Sequence, residues 1–252
     1  MLLKDKVAIV TGGARGIGKA ICHLYCKEGS DIIIGDIDID EAKKTAEELE
    51  NLYKRKCAAI KLDISDRKNV EEVVEETINI FGKVDILVNN ASILIEEYIV
   101  DMTEEQWDKL MDVNLKGTYL CCQAVGRYMI KQKSGKIITI SSCAAKKPTL
   151  KEAAYSVSKA GVLSFNRIMA LEFGPYGINC NAILPGATDT EMIRKAFLTS
   201  KEVEKEWIEK TALKRLGKPE DVARVALFLA SELSDHITGE GIVVSAGEMM
   251  TQ

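Results

Sequence analysis

Val7-Ala8-Ile9-Val10-Thr11-Gly12-Gly13-Ala14-Arg15-Gly16-Ile17-Gly18 is the stretch whose reading decides the fold. Four strand formers without polar alternation run into a glycine-rich turn, and over 17–27 the apolar residues recur at helical spacing. The segment reads as strand, tight loop and helix. Glycines at such a junction let the backbone approach a pyrophosphate, whose charge is favoured by unpaired N–H groups and the dipole of the helix start. The spacing is Gly-x-x-x-Gly-x-Gly, so the general G-x-G-x-x-G fingerprint fits only loosely.

The same rhythm continues outward from this stretch. Strands are expected at Ile32-Ile33-Ile34, 58–62, 86–88, 136–140, 178–183 and 241–245. Helices are expected over 41–52, 70–81, 103–131, 153–173 and 220–230, with Gly82 as the stop signal of the second. Apolar strands separated by helices imply an α/β fold, one doubly wound parallel sheet of about seven strands covered on both faces. No linker rich in Pro, Gly or Ser divides the chain, so 1–252 is expected to be a single domain. The rhythm breaks only at 186–217, beyond the sixth strand, where short helical stretches including 200–210 suggest a substrate lid or a surface excursion.

Composition narrows the function. A formal charge of −4 over 252 residues gives no electrostatic reason to expect nucleic acid or an anionic membrane as partner. A small soluble ligand fits better. The first residues lead straight into a strand without a signal-peptide pattern, and no apolar run approaches the roughly 20 residues of a membrane span. A cytoplasmic protein is expected. Seven cysteines without CxxC spacing and only two histidines make a metal centre unexpected, and the thiols are read as reduced packing residues. Cys143, beside a candidate catalytic serine, is read either as packing or as lining of a substrate pocket.

Asp36 lies eighteen residues beyond Gly18, at the end of the second strand. There it can accept from adenosine ribose hydroxyls, and its charge opposes a 2′-phosphate, which favours NAD over NADP. Arg15 is the opposing feature, because its guanidinium could grip that phosphate. Tyr155 and Lys159 are four residues apart in a helical segment, so both side chains project from one face. A free phenol has a pKa of about 10, and a neighbouring ammonium favours its ionised form. Ser142, thirteen residues earlier and just after a strand, can hold a substrate oxygen as charge develops on it.

Taken together, Thr11 to Gly18, Asn89-Asn90-Ala91-Ser92, Val113-Asn114-Leu115, Ser141-Ser142, Tyr155-x-x-x-Lys159 and Pro185-Gly186 resemble, in order, the motifs of the short-chain dehydrogenase/reductase family. The resemblance covers essentially the whole chain and implies a Rossmann domain. It implies that Gly12, Arg15, Gly16, Ile17 and Gly18 face the dinucleotide, that Asp63 and Ile64 contact adenine, and that Asn90 lines the adenosine ribose. It implies catalytic roles for Asn114, Ser142, Tyr155 and Lys159, with Ser142 and not Ser141 selected by the spacing. Lys159 is also implied to reach the nicotinamide ribose, and Pro185, Gly186, Thr188 and Thr190 to contact the carboxamide or pyrophosphate. Ser92 replaces the family's usual glycine, either as a substrate contact or as a mere substitution. Members are commonly homotetramers, and the same assembly is implied here.

The expected activity is NAD-dependent interconversion of a secondary alcohol and a ketone, with a sugar, polyol or hydroxy acid as substrate. Polar residues Lys146, Lys147, Lys151 and Glu152 near the expected active-site edge favour such a hydrophilic molecule. The rivals are a 3-oxoacyl-(acyl-carrier-protein) reductase using NADPH and, from another class, a catalytically silent dinucleotide-binding module. Trp107 and Trp207 are read as packing residues, although Trp207 sits within the suggested lid.

Overall fold

The structure is a computed structural model that describes residues 1–198 and 200–250. Seven parallel strands form its sheet: β1 (Val7–Thr11), β2 (Asp31–Asp36), β3 (Cys57–Lys61), β4 (Ile86–Asn89), β5 (Gly135–Ile140), β6 (Ile178–Pro185) and β7 (Gly241–Val244). Their spatial order is β3-β2-β1-β4-β5-β6-β7, and every neighbouring pair is parallel. The chain winds outward from β1 in one direction, then returns to the other side of β1 and winds the opposite way. This is the doubly wound sheet that unbroken apolar strands require.

Alternate strand residues feed two cores. Val10, Ile34, Val88 and Ile138 point to one face, where Ile21 and Tyr25 of α1 (Gly16–Lys27) meet Val222, Ala226 and Leu229 of the last helix. Ile9, Ile33, Leu87 and Ile137 point to the other, against Val70, Val73, Val125 and Met129. That period of two explains why a strand buried on both sides needs no polar alternation. Fully burying each of the Val, Leu, Ile and Met side chains among them contributes roughly 1.5–3 kcal/mol. The buried Tyr25 hydroxyl donates to the Ala226 carbonyl at 2.9 Å, pinning the first helix to the last across one face of the sheet.

The remaining helices are α2 (Ile39–Tyr53), α3 (Arg67–Phe81), α4 (Glu104–Met111), α5 (Thr118–Gln132), α6 (Ala153–Phe173), α7 (Glu191–Ala196), α8 (Lys201–Glu209) and α9 (Pro219–Ala230). The helical material expected over 103–131 is present as two α-helices joined by a wider turn. A π-helical turn, Asp112–Gly117, separates α4 from α5. At its end, Gly117 lies against Ile64, and a Cβ there would come within 2.7 Å of the isoleucine side chain. Wide turns of this kind re-aim a side chain within an otherwise regular helix, and here the turn carries Asn114. Among the described residues, no helix is long and apolar enough to cross a membrane.

Candidate active site

The sheet reverses its winding between β1 and β4, where open α/β sheets bind ligands beyond their strand ends. A cleft of about 930 Å³ occupies this place. Its floor is the glycine turn. Gly12 and Gly16 adopt left-handed φ values of 64° and 55°. Gly18 has a different reason to be glycine: a Cβ would lie 2.1 Å from the Gly12 carbonyl oxygen. The helix α1 starts at the cleft without a side-chain cap and without an acidic residue in its first turn. Its first N–H groups are left for an anion.

Along the β2 and β3 side, Asp36 is buried with both carboxylate oxygens engaged. One accepts from the Ala14 N–H at 3.1 Å, the other from the Asp38 N–H at 3.0 Å. The carboxylate is thereby fixed on the cleft wall beside the glycine turn. Arg15, the feature that favoured a phosphate, pairs with Asp38 and also lies 3.5 Å from Glu191 of α7. Asp63 accepts from both the main chain and the hydroxyl of Ser65, at 2.9 and 2.6 Å. Ile64 lines the cleft next to it.

Asn90 has a function that its motif did not disclose. Its amide nitrogen donates to the Thr11 and Gly12 carbonyls at 3.0 and 2.8 Å, while the Thr11 hydroxyl oxygen accepts from the Asn90 and Ala91 N–H groups. These bonds staple the loop after β4 to the glycine turn. Thr190 likewise uses its hydroxyl to cap α7, accepting from the Ile193 N–H at 3.4 Å, although it still lines the cleft. Pro185 and Gly186 end β6 on the same cleft, where Thr188 donates to the Gly186 carbonyl at 3.0 Å. Ser92 lines the cleft as well.

At the β5 end, Ser142, Tyr155 and Lys159 open onto this one cleft. Lys159 is buried and donates from Nζ to the Ile140 carbonyl at 2.9 Å, with its ammonium 5.6 Å from the centre of the Tyr155 ring. Burial lowers the amine to about 8. Burial also raises the Tyr155 phenol to about 12, opposed by the Ser142 hydroxyl and reinforced by the Glu152 charge. Burial thus acts on the phenol against the downward pull expected from a neighbouring ammonium.

Asn114 is buried, exchanging hydrogen bonds with the Ile93 main chain at 2.8 and 2.9 Å and donating to the Ser158 hydroxyl at 3.3 Å. Ser158 in turn donates to the Tyr155 carbonyl at 2.7 Å. Ser141, set aside on spacing, has a structural function, because its hydroxyl donates to the Lys159 carbonyl at 2.9 Å. Cys143 is buried and donates to the Leu184 carbonyl at 3.5 Å, its thiol pushed up to about 12 by burial.

A family model described as enoyl-(acyl carrier protein) reductase, from the short-chain group, matches residues 12–248. The chain belongs to the short-chain dehydrogenase/reductase family. It is 38% identical over 245 residues to the NAD-dependent glycerol dehydrogenase of Listeria innocua, covering 97% of this chain and 94% of that protein. It is 39% identical over 247 residues to the 3-oxoacyl-(acyl-carrier-protein) reductase FabG of Thermotoga maritima, covering 98% and 99%. Among solved structures, gox2181 superposes with a TM-score of 0.94 at 38% identity, covering 98% of this chain and 96% of that one. Levodione reductase superposes with a TM-score of 0.95 at 27% identity, covering 98% of both. As a short-chain dehydrogenase/reductase, the protein is an oxidoreductase acting on CH–OH groups with NAD or NADP.

Within this short-chain enzyme the motifs left three features unread. The Thr11–Asn90 staple and the Ser141–Lys159 bond look like ordinary polar residues in sequence. Glu248 lies far along the chain, and only folding brings it near Cys143, beside Ser142. The glycine turn generates a direct prediction. Gly18→Ala must displace the Gly12 carbonyl and the whole turn. Dinucleotide affinity, measured by quenching of tryptophan fluorescence or by calorimetry, is expected to fall at least tenfold, while the far-ultraviolet circular dichroism stays that of the wild type.

Proposed function

We propose that this enzyme interconverts a secondary alcohol and a ketone with NAD, its substrate being a small sugar, polyol or hydroxy acid. The observation that carries the reading is that Ser142, Tyr155 and Lys159 share one cleft with the glycine turn and the buried Asp36. The cradle suits a dinucleotide: side-chain-free Gly12, Gly16 and Gly18 border an uncapped helix start, and a fixed carboxylate stands where ribose hydroxyls would donate. In this reading, Gly12, Arg15, Gly16, Ile17 and Gly18 receive the pyrophosphate side. Asp36, Asp63, Ile64 and Asn90 border the adenosine, and Pro185, Gly186, Thr188 and Thr190 border the carboxamide. NAD, when bound, supplies the acceptor for the hydride that leaves the carbinol carbon.

The chain's own residues handle the proton. Ser142 Oγ donates to the substrate oxygen and fixes it against the phenol. Tyr155 Oη takes the hydroxyl proton in oxidation and returns it in reduction. Lys159 holds its ammonium beside the phenol and offers donors to the nicotinamide ribose. Asn114 acts through Ser158 on the main chain of Tyr155. Deprotonated Tyr155 is scarce at neutral pH because its phenol lies near 12.

The cofactor preference rests on charge. A 2′-phosphate near Asp36 would meet a buried carboxylate, and two unit charges 4 Å apart repel by about 4 kcal/mol at an effective dielectric of ~20. Arg15 could offset this, but its guanidinium already bridges Asp38 and Glu191. The same bridge ties α7 to the glycine turn and supports reading 186–217 as a substrate lid. The NAD-dependent glycerol dehydrogenase among its relatives supports this choice, whereas FabG supports the rival acyl-carrier-protein reductase. A homotetramer belongs to the same proposal, favoured by exposed Tyr119 on α5 and Val157, Ile168 and Leu171 on α6.

Two experiments test the reading. Wild-type protein is assayed for NADH formation across polyols, sugars and hydroxy acids, and for NADPH consumption with a 3-oxoacyl thioester. The alcohols with NAD are expected to turn over, and Asp36→Ala should narrow the NAD-to-NADP ratio of kcat/KM at least tenfold. A thioester substrate with NADPH, or an unchanged ratio, contradicts the proposal. In the second experiment, kcat/KM for oxidation is expected to climb from pH 7 to pH 10 as the phenol of Tyr155 ionises, with reduction losing little over that range. Tyr155→Phe is expected to lose more than 1,000-fold in turnover while still binding NADH.

A further inference from the structure

Ser92 stands where the two halves of the cleft meet. It comes three positions after Asn89, the last residue of β4, and the chain is pinned on both sides of it. Before it, the Asn90 and Ala91 N–H groups donate to the Thr11 hydroxyl oxygen at 3.0 and 3.1 Å, which ties this stretch to the glycine turn. After it, the Asn114 side chain holds the Ile93 N–H and carbonyl at 2.8 and 2.9 Å, and Asn114 leads through Ser158 to the main chain of Tyr155. Ser92 itself is half-buried and lines the cleft. Its backbone has no left-handed φ, so position 92 makes no demand that only glycine could meet.

Its hydroxyl differs from its neighbours in having nothing to bond. The other serine and threonine hydroxyls on the cleft wall are engaged within the chain. Ser65 donates to Asp63, Ser141 to the Lys159 carbonyl and Thr188 to the Gly186 carbonyl, while Ser142 accepts from the Ala144 N–H and Thr190 from the Ile193 N–H. Among the described residues, neither the Ser92 hydroxyl nor its main-chain N–H and carbonyl has a partner. The oxygen is not sealed inside the protein with its bonds unmade, so it is open to the cleft that Ser92 lines. A hydroxyl offers one donor and two acceptor lone pairs, and here all are left for what the cleft binds.

The order of groups along a dinucleotide points to the occupant. Between its pyrophosphate, assigned above to the glycine turn, and its nicotinamide, which meets the carbinol beside Tyr155, lies the nicotinamide ribose with its two hydroxyls. Ser92 has the same intermediate place on the protein, between the stretch stapled to the turn and the stretch braced to Tyr155. We propose that the Ser92 hydroxyl hydrogen-bonds a hydroxyl of the nicotinamide ribose, complementing the donors that Lys159 offers from α6. This rests on the dinucleotide reading above and adds a cofactor contact that glycine, the family's usual residue here, does not supply. A ribose hydroxyl both donates and accepts, so the bond can form in either direction.

The test is titration calorimetry of the wild type, Ser92→Ala and Ser92→Gly with NADH, ADP-ribose and ADP. The first two ligands carry the ribose in question, and ADP lacks it. Both variants are expected to bind NADH and ADP-ribose about fivefold more weakly, in keeping with one hydrogen bond between neutral groups, and to bind ADP as the wild type does. A loss on all three ligands would make Ser92 a prop of the glycine turn and overturn the proposal. Unchanged affinity for NADH and ADP-ribose would overturn it as well, and a KM raised for the alcohol alone would then reassign the hydroxyl to the substrate. In either of these cases wild-type binding of NADH leaves the parent reading standing. A wild type that binds none of the three fails that reading, and this inference falls with it.

Discussion

A buried ammonium organises the reacting end of this molecule. Lys159 is 3% exposed, and a charge placed there is costly unless its protons find acceptors. The Ile140 carbonyl is one acceptor, at the last residue of β5, and Ser141 returns the bond by donating to the Lys159 carbonyl. The two contacts form a reciprocal lock between the end of a strand and the middle of a helix. Because α6 cannot slide along β5, Tyr155 is held one turn earlier on the helix, facing Ser142 at the strand's end. The chain from Asn114 through Ser158 to the Tyr155 carbonyl braces the same helix from the π-helical turn.

The dinucleotide end is built by an opposite device. There the backbone approaches closely because side chains are missing, and the polar groups of Thr11 and Asn90 bind the two loops on either side of the reversal point. Both ends lie at the carboxyl edge of one parallel sheet, Asp36 and Ser142 at or just beyond strand ends and Tyr155 on the helix locked to β5. Rigid strand ends position the chemistry, and the helical excursion after β6 borders the cleft from above.

Much of this was legible in the sequence. Unbroken apolar strands with helices between them led to the parallel sheet, and the glycine turn marked its ligand edge. The helical material over 103–131 was legible too, but periodicity does not register the one wide turn within it, where Gly117 meets Ile64 across the fold. The phenol was expected to be acidified by Lys159, a rule of neighbouring charge. Burial, which a sequence does not display, acts on the phenol in the opposite direction. Ser141 and Asn90 carry bonds whose partners are distant in the chain.

A crystal structure of the complex with NADH and butan-2-one measures the central geometry directly. The ketone oxygen is expected within about 3.2 Å of both Tyr155 Oη and Ser142 Oγ, with Lys159 Nζ still on the Ile140 carbonyl. A ketone oxygen bound in the cleft but out of reach of the phenol would contradict the assignment of the proton path.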